Sequence, residues 1–103
     1  MTLPEAKQQL TAIRDNLPAD YSMNSARKLM SSFENYKQIL QALGRNLSRL
    51  KSGIRPDFEE IEGGIRTAIK GTPKKEAESA FSLARRHITD DINNILAVAP
   101  PMP

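Results

Sequence analysis

The stretch ARKLMSSFENYKQILQALGRNLSRL, residues 26–50, decides the fold class of this chain. Its apolar residues recur at alternating intervals of three and four positions: Ala26, Leu29, Phe33, Tyr36, Leu40, Leu43, Leu47 and Leu50. This spacing lays one continuous apolar stripe along an α-helix. A stripe so regular is typical of a long helix that packs in a bundle at a shallow crossing angle. We therefore predict a helix over residues 24–51, with Asn24 or Ser22 as its N-cap and Gly53 at its end.

The same spacing recurs on both sides of this stretch and predicts three more helices, over residues 3–17, 57–70 and 73–98. Short connections between consecutive helices favour antiparallel neighbours. We expect an all-α protein, an antiparallel up-down-up-down four-helix bundle over residues 1–98, followed by a proline-rich tail at 99–103.

Local signals mark the ends of these three helices. Thr2 and Glu5 fit a capping box, and Pro18 is expected to end the first helix. Asp57 and Glu60 fit a second capping box ahead of the third helix. Gly71 is expected to end that helix, and the fourth then opens with Thr72 as its cap and Pro73 in its first turn. Gly63 and Gly64 lower helix propensity, and they favour a bend or the close approach of another helix.

Composition narrows the class of protein. The 103 residues carry a net charge of +3, which is mildly basic and well below that of a dedicated nucleic-acid binder. The chain has no cysteine, which excludes disulfides, thiol catalysis and zinc–thiolate sites. No apolar run approaches the length of a membrane span. We expect a one-domain globular protein that does not cross a membrane.

No arrangement of residues predicts catalysis. The one histidine, His87, has no cysteine partner, and the residue three positions before it is Ala84, which does not match the di-iron bundle motif. His87 falls one helical turn from Asp91. The acidic pairs Glu59–Glu60 and Asp90–Asp91 are adjacent in sequence and so diverge on a helix, which favours a solvated face or a cap. We expect no enzyme, no small-molecule substrate, no cofactor and no metal site.

The basic clusters are the remaining candidates for function. In GRNLSRLKSGIRPDFEE, residues 44–60, positive charge gives way abruptly to negative charge. A helix end followed by a helix start explains that order, because each charge suits the nearby helix dipole. Docking onto an acidic protein surface is the functional alternative, and nucleic-acid binding is a weaker one. The candidate docking residues are Arg45, Arg49, Lys51 and Arg55, with Lys70, Lys74 and Lys75 near Arg27 and Lys28 at the other end of the bundle.

The second half of the chain resembles the PsbQ-like extrinsic proteins of photosystem II. The likeness runs from Leu43 to Ala97: a long helix with a basic end, a proline-started turn, a shorter helix, a loop, and a long helix that ends in NNILA. The positions that match the family pattern are Ile61, Ile65, Ala68, Lys70, Ala77, Glu78, Asn94, Leu96 and Ala97. The chain departs from the family in having no tryptophan, no long N-terminal arm and no lipidated cysteine.

The resemblance implies a non-catalytic four-helix subunit, of the algal or a related type, that docks on the lumenal side of photosystem II. Such a subunit supports the oxygen-evolving centre and binds no essential metal itself. The implied location is the thylakoid lumen at the membrane periphery, or the cytoplasm if Met1 is the true initiator. An adaptor or assembly factor of an unrelated complex, and a basic nucleic-acid-binding bundle, are the alternative functions.

Overall fold

The computed structural model describes residues 2–43 and 58–97, and within these ranges the chain has four helices and no strand. The helices are α1 (Leu3–Asp15), α2 (Met23–Leu43), α3 (Phe58–Lys70) and α4 (Lys74–Ala97). The predicted all-α class is therefore confirmed for the described residues. Residues 44–51 of the predicted second helix, together with residues 57 and 98 and the tail at 99–103, lie outside them.

The start of α2 follows the predicted chemistry. The Ser25 backbone N–H donates to the Ser22 hydroxyl oxygen at 2.9 Å, so Ser22 is the N-cap and Asn24 is not. A serine in this position accepts from one of the backbone donors that a helix start leaves without an intrahelical partner.

Helix α1 begins as predicted and ends earlier. Its cap is Thr2, whose hydroxyl accepts from the Glu5 backbone N–H at 3.3 Å and donates to the Glu5 carboxylate at 3.0 Å. The helix stops at Asp15, two residues before the predicted end, and the Asn16 side chain bonds the Ala12 carbonyl at 2.7 Å. Leu17 is nevertheless buried. Its position before Pro18 disfavours helical backbone, so its apolar spacing outlasts the helix itself.

The turn between α3 and α4 depends on one glycine. Gly71 has a φ of +75°, and its N–H donates to the Thr67 carbonyl at 3.2 Å, which ends α3 as predicted. The predicted start of α4 is wrong by one residue, because the helix begins at Lys74 and Pro73 precedes it. The Pro73 carbonyl accepts the first intrahelical bond, from the Ala77 N–H at 3.0 Å.

The core joins all four helices through the stripes that the sequence predicts. On α2 the buried residues are Ala26, Leu29, Phe33, Tyr36, Ile39, Leu40 and Leu43, and on α4 they are Ala77, Phe81, Ala84, Ile88, Ile92 and Ile95. Helix α3 packs against α4 and α2, while α1 packs against α2 and α4. Among the described residues, no charged side chain is fully buried.

The two central glycines of α3 have different surroundings. A Cβ at Gly64 would lie 3.5 Å from the Ala80 carbonyl oxygen and 3.5 Å from the Ala84 Cβ, so α4 does approach closely there. A Cβ at Gly63 would meet nothing within 4 Å. Close helix approach therefore accounts for Gly64 and does not account for Gly63.

Candidate functional site

One end of the molecule gathers five exposed cations. A Cβ at Gly71 would lie 3.2 Å from the Met23 Cε and 3.7 Å from the Tyr21 hydroxyl oxygen, so the start of α2 lies against the α3–α4 turn. The cations that flank this contact along the chain are Arg27 and Lys28 on α2, Lys70 at the end of α3, and Lys74 and Lys75 at the start of α4. We call these five residues the basic end. All five are exposed.

The helix dipole explains only part of the basic end. Lys70 lies in the last turn of α3, where a cation is favoured. Lys74 and Lys75 lie in the first turn of α4, where the dipole disfavours positive charge. The Lys74 ammonium lies 4.0 Å from the Glu78 carboxylate, but the Lys74 side chain is 81% exposed, so the pair is weak. Helix-end stabilisation therefore does not account for these two lysines.

Two long-range hydrogen bonds hold the α1–α2 connection beside the basic end. The Tyr21 hydroxyl donates to the Ala68 carbonyl of α3 at 2.9 Å, and its ring packs edge-on against Phe81 with centroids 5.6 Å apart. The Arg85 Nε–H of α4 donates to the Pro18 carbonyl at 2.7 Å. These contacts fix the segment before α2 to both α3 and α4.

The other predicted cluster cannot be placed. Arg45, Arg49, Lys51 and Arg55 all lie between residues 44 and 57, outside the described residues. Their role in docking stays a prediction from sequence.

A second polar feature joins α2 to α4 at Tyr36, where sequence analysis predicted only packing. The Tyr36 hydroxyl donates to the Asp91 carboxylate at 3.1 Å, and Tyr36 is fully buried against the rings of Phe33 and Phe58. Asp91 is half-buried, which corrects the expectation that Asp90 and Asp91 form a solvated pair. The bond joins residues 55 positions apart, so no local spacing could have predicted it.

The pKa values of both groups in this bond are perturbed in the same direction. Burial is the main cause that raises the pKa of Tyr36, and the Asp91 charge and hydrogen bond add to it. Burial also raises the pKa of Asp91, while the Tyr36 hydrogen bond and the charge of His87 act to lower that pKa, and Asp90 acts to raise it. Because Tyr36 stays protonated, it serves as a donor to the carboxylate. The hydrogen bond joins α2 to α4.

The apolar surface of α4 is incompletely covered. Leu83 is 50% exposed and also lines a small cavity of about 180 Å³ between α3 and α4. Gly64, Ala80 and His87 are among the other residues that line this cavity. Within the described residues, no group of three or more acidic or histidine side chains could hold a metal ion, and no helix is long and apolar enough to cross a membrane.

Comparison of the chain with protein-family models, with curated proteins and with solved structures finds no match.

Proposed function

We propose that this protein is a non-catalytic docking subunit whose basic end binds an acidic surface of a larger protein complex. The observation that carries the proposal is the placement of Lys74 and Lys75. They are exposed cations in a helix turn that disfavours them, and Lys70 ends the preceding helix. Charge held at a cost to the helix is explained if it contributes to binding, because exposed charges at an interface steer association.

The proposed architecture is the antiparallel up-down-up-down bundle. Arg14, in the last turn of α1, donates to Asn93 at 2.9 Å, and the carbonyl of Pro18, which follows α1, accepts from Arg85. The chain therefore meets earlier residues of α4 as it leaves α1. Tyr21 contacts the end of α3 at Ala68, while Phe33 packs on Phe58 at its start, with ring centroids 6.1 Å apart. These contacts support α1 antiparallel to α4 and α2 antiparallel to α3. The basic end is then one pole of the bundle.

The most specific form of the proposal names the complex. The likeness of residues 43–97 to PsbQ-like proteins points to the lumenal side of photosystem II, and it rests on sequence pattern alone. A rigid bundle with charge at its pole suits reversible, salt-sensitive attachment to an acidic complex.

Binding to photosystem II membranes stripped of their extrinsic subunits tests this proposal. We expect co-sedimentation at low salt that declines as sodium chloride is added, because exposed charge pairs are screened. Lys75→Glu should weaken binding several-fold. The same substitution should not harm folding, because it places a carboxylate in the first turn of α4, where the dipole favours it.

Arg66→Glu is the matched control, since it makes the same charge change on an exposed residue of α3 outside the basic end. Equal weakening by both variants would reject the basic end as the docking surface. Absence of binding at low salt would reject photosystem II as the partner. Steeply salt-dependent binding to an oligonucleotide, with none to the membranes, would favour the nucleic-acid alternative instead.

A further inference from the structure

The outer face of α4 carries a second arrangement of charges. It shares Lys74 with the basic end, but its central residues lie outside the basic end. Its members are spaced four residues apart and are all exposed: Lys74, Glu78, Ser82, Arg86 and Asp90. Residues at this spacing form one ridge on a helix surface. Along the ridge the charges run positive, negative, neutral, positive and negative.

This order is self-complementary about Ser82. Glu78 and Arg86 lie four residues to either side of Ser82, about 6 Å along the axis, and have opposite charges. Lys74 and Asp90 lie eight residues to either side, about 12 Å, and are also opposite. If a second α4 crosses antiparallel with a two-fold axis at Ser82, every charge of the ridge faces its opposite on the partner. A two-fold contact requires this kind of reciprocal pairing.

The centre of the ridge is suited to close contact between helices. Ser79 and Ser82 are small and exposed, and the half-exposed Leu83 lies beside them. Together with Glu78 and Arg86 they line a shallow depression on α4. Ridges of this spacing pack into one another at a crossing angle of about −50°.

We infer that α4 is a self-association face, on which a second copy of this chain docks antiparallel about Ser82. Within one copy, the ion pair between Lys74 and Glu78 competes with these contacts. It is weak, because the two charged groups are as far apart as 4.0 Å and both side chains are exposed. The contact is also small. A 24-residue helix is about 36 Å long, and a strip about 10 Å wide covers far less than the roughly 800 Å² per partner of a stable interface. The dimer should therefore be weak, and it should form at high protein concentration and low salt.

Charge reversal tests this inference by sedimentation velocity over a series of protein concentrations at low salt. Glu78→Lys alone sets a new positive charge against Arg86 of the other copy, and Arg86→Glu alone sets a new negative charge against Glu78. Each change acts twice in a two-fold dimer, so each should weaken self-association by at least about tenfold. The double variant E78K/R86E restores both attractive pairs and should return the dissociation constant to within about threefold of the original. Mixing the two single variants should produce a heterodimer.

The reversal Glu62→Lys with Arg66→Glu on α3 is the control, because those residues form an exposed pair 3.6 Å apart at the same kind of spacing. It should leave association unchanged, and circular dichroism at 222 nm should give the same helix content for all variants. A wild-type protein that stays monomeric up to millimolar concentration would overturn the inference. So would a double variant as weak as the singles. Glu78 and Arg86 lie outside the basic end, so this outcome is independent of the docking proposal.

Discussion

The aromatic cluster around Tyr36 and the segment before α2 that carries Tyr21 each depend on a tyrosine hydroxyl, but the two hydroxyls have different roles. The Tyr36 hydroxyl bonds a half-buried carboxylate inside an aromatic cluster, and the contact joins α2 to α4. The Tyr21 hydroxyl bonds a backbone carbonyl at 2.9 Å and holds a loop beside exposed lysines. The first arrangement stabilises the fold, whereas the second supports a surface. Folding stability and docking should therefore respond to different substitutions.

Leu40→Ala should have the largest effect on stability. Leu40 is 2% exposed on the α2 stripe, so truncation removes packed methyl groups and leaves a cavity. We expect a loss of about 2–5 kcal/mol in the free energy of unfolding, measured by urea denaturation. The neighbouring exposed residue gives the control, since Gln41→Ala should change this value by less than about 0.5 kcal/mol. If Leu40→Ala left the free energy of unfolding unchanged, the assignment of the apolar stripe to the buried face of α2 would be wrong.

Gly71→Ala should have the next largest effect, this time at the basic end. Alanine is strained at a φ of +75°, and its Cβ would press on Met23 at 3.2 Å. The expected loss is about 1–2 kcal/mol. Gly63→Ala makes the same chemical change in open space within a helix, and it should stabilise the protein by about 0.5–1 kcal/mol. Thermal unfolding of both variants checks the pair, and a loss of similar size in both would contradict the account.

Tyr36→Phe should cost about 1 kcal/mol near neutral pH, because the half-exposed Asp91 loses a donor. The loss should depend on pH. A carboxyl whose folded-state pKa is raised contributes stability below its unfolded pKa, and that contribution is lost as pH rises through the folded pKa. Without the Tyr36 bond the pKa of Asp91 rises further, so the cost of Tyr36→Phe should be larger at pH 7 than at pH 4. Unfolding by urea at both pH values measures it.

Tyr21→Phe is the matched control for this pH dependence. Its acceptor is a backbone carbonyl, which does not titrate, so its cost should be the same at pH 4 and pH 7. If Tyr36→Phe lowered the free energy of unfolding equally at both pH values, the Tyr36 hydrogen bond would have no effect on the ionisation of Asp91, which would contradict the account.

The sequence predicted the helices better than the contacts between them. The three-four spacing correctly identified the buried positions of α2 from Ala26 to Leu43, because burial follows the period of the helix. It overran the end of α1, because Leu17 is buried by tertiary packing after the helix has stopped. The bonds from Tyr36 to Asp91 and from Arg85 to Pro18 join residues 55 and 67 positions apart. Such contacts depend on how helices pack, which periodicity does not specify.

The candidate site was predictable in part for the same reason. The exposure of Lys70, Lys74 and Lys75 follows from their positions off the apolar stripe. Their proximity to α2 depends on the contact between Gly71 and Met23, which only the folded chain provides. The predicted start at Pro73 already implied the conflict between Lys74 or Lys75 and the helix dipole, because either start places both lysines in the first turn of α4.

The most direct test of the docking claim is carbodiimide cross-linking of the protein bound to photosystem II membranes at low salt, followed by mass spectrometry of the linked peptides. The reagent joins a lysine amine to a carboxylate in contact with it. We predict links from Lys70, Lys74 or Lys75 to carboxylates of the complex, all lost when salt releases the protein. Links confined to Lys7 and Lys37, which lie outside the basic end, would contradict the account.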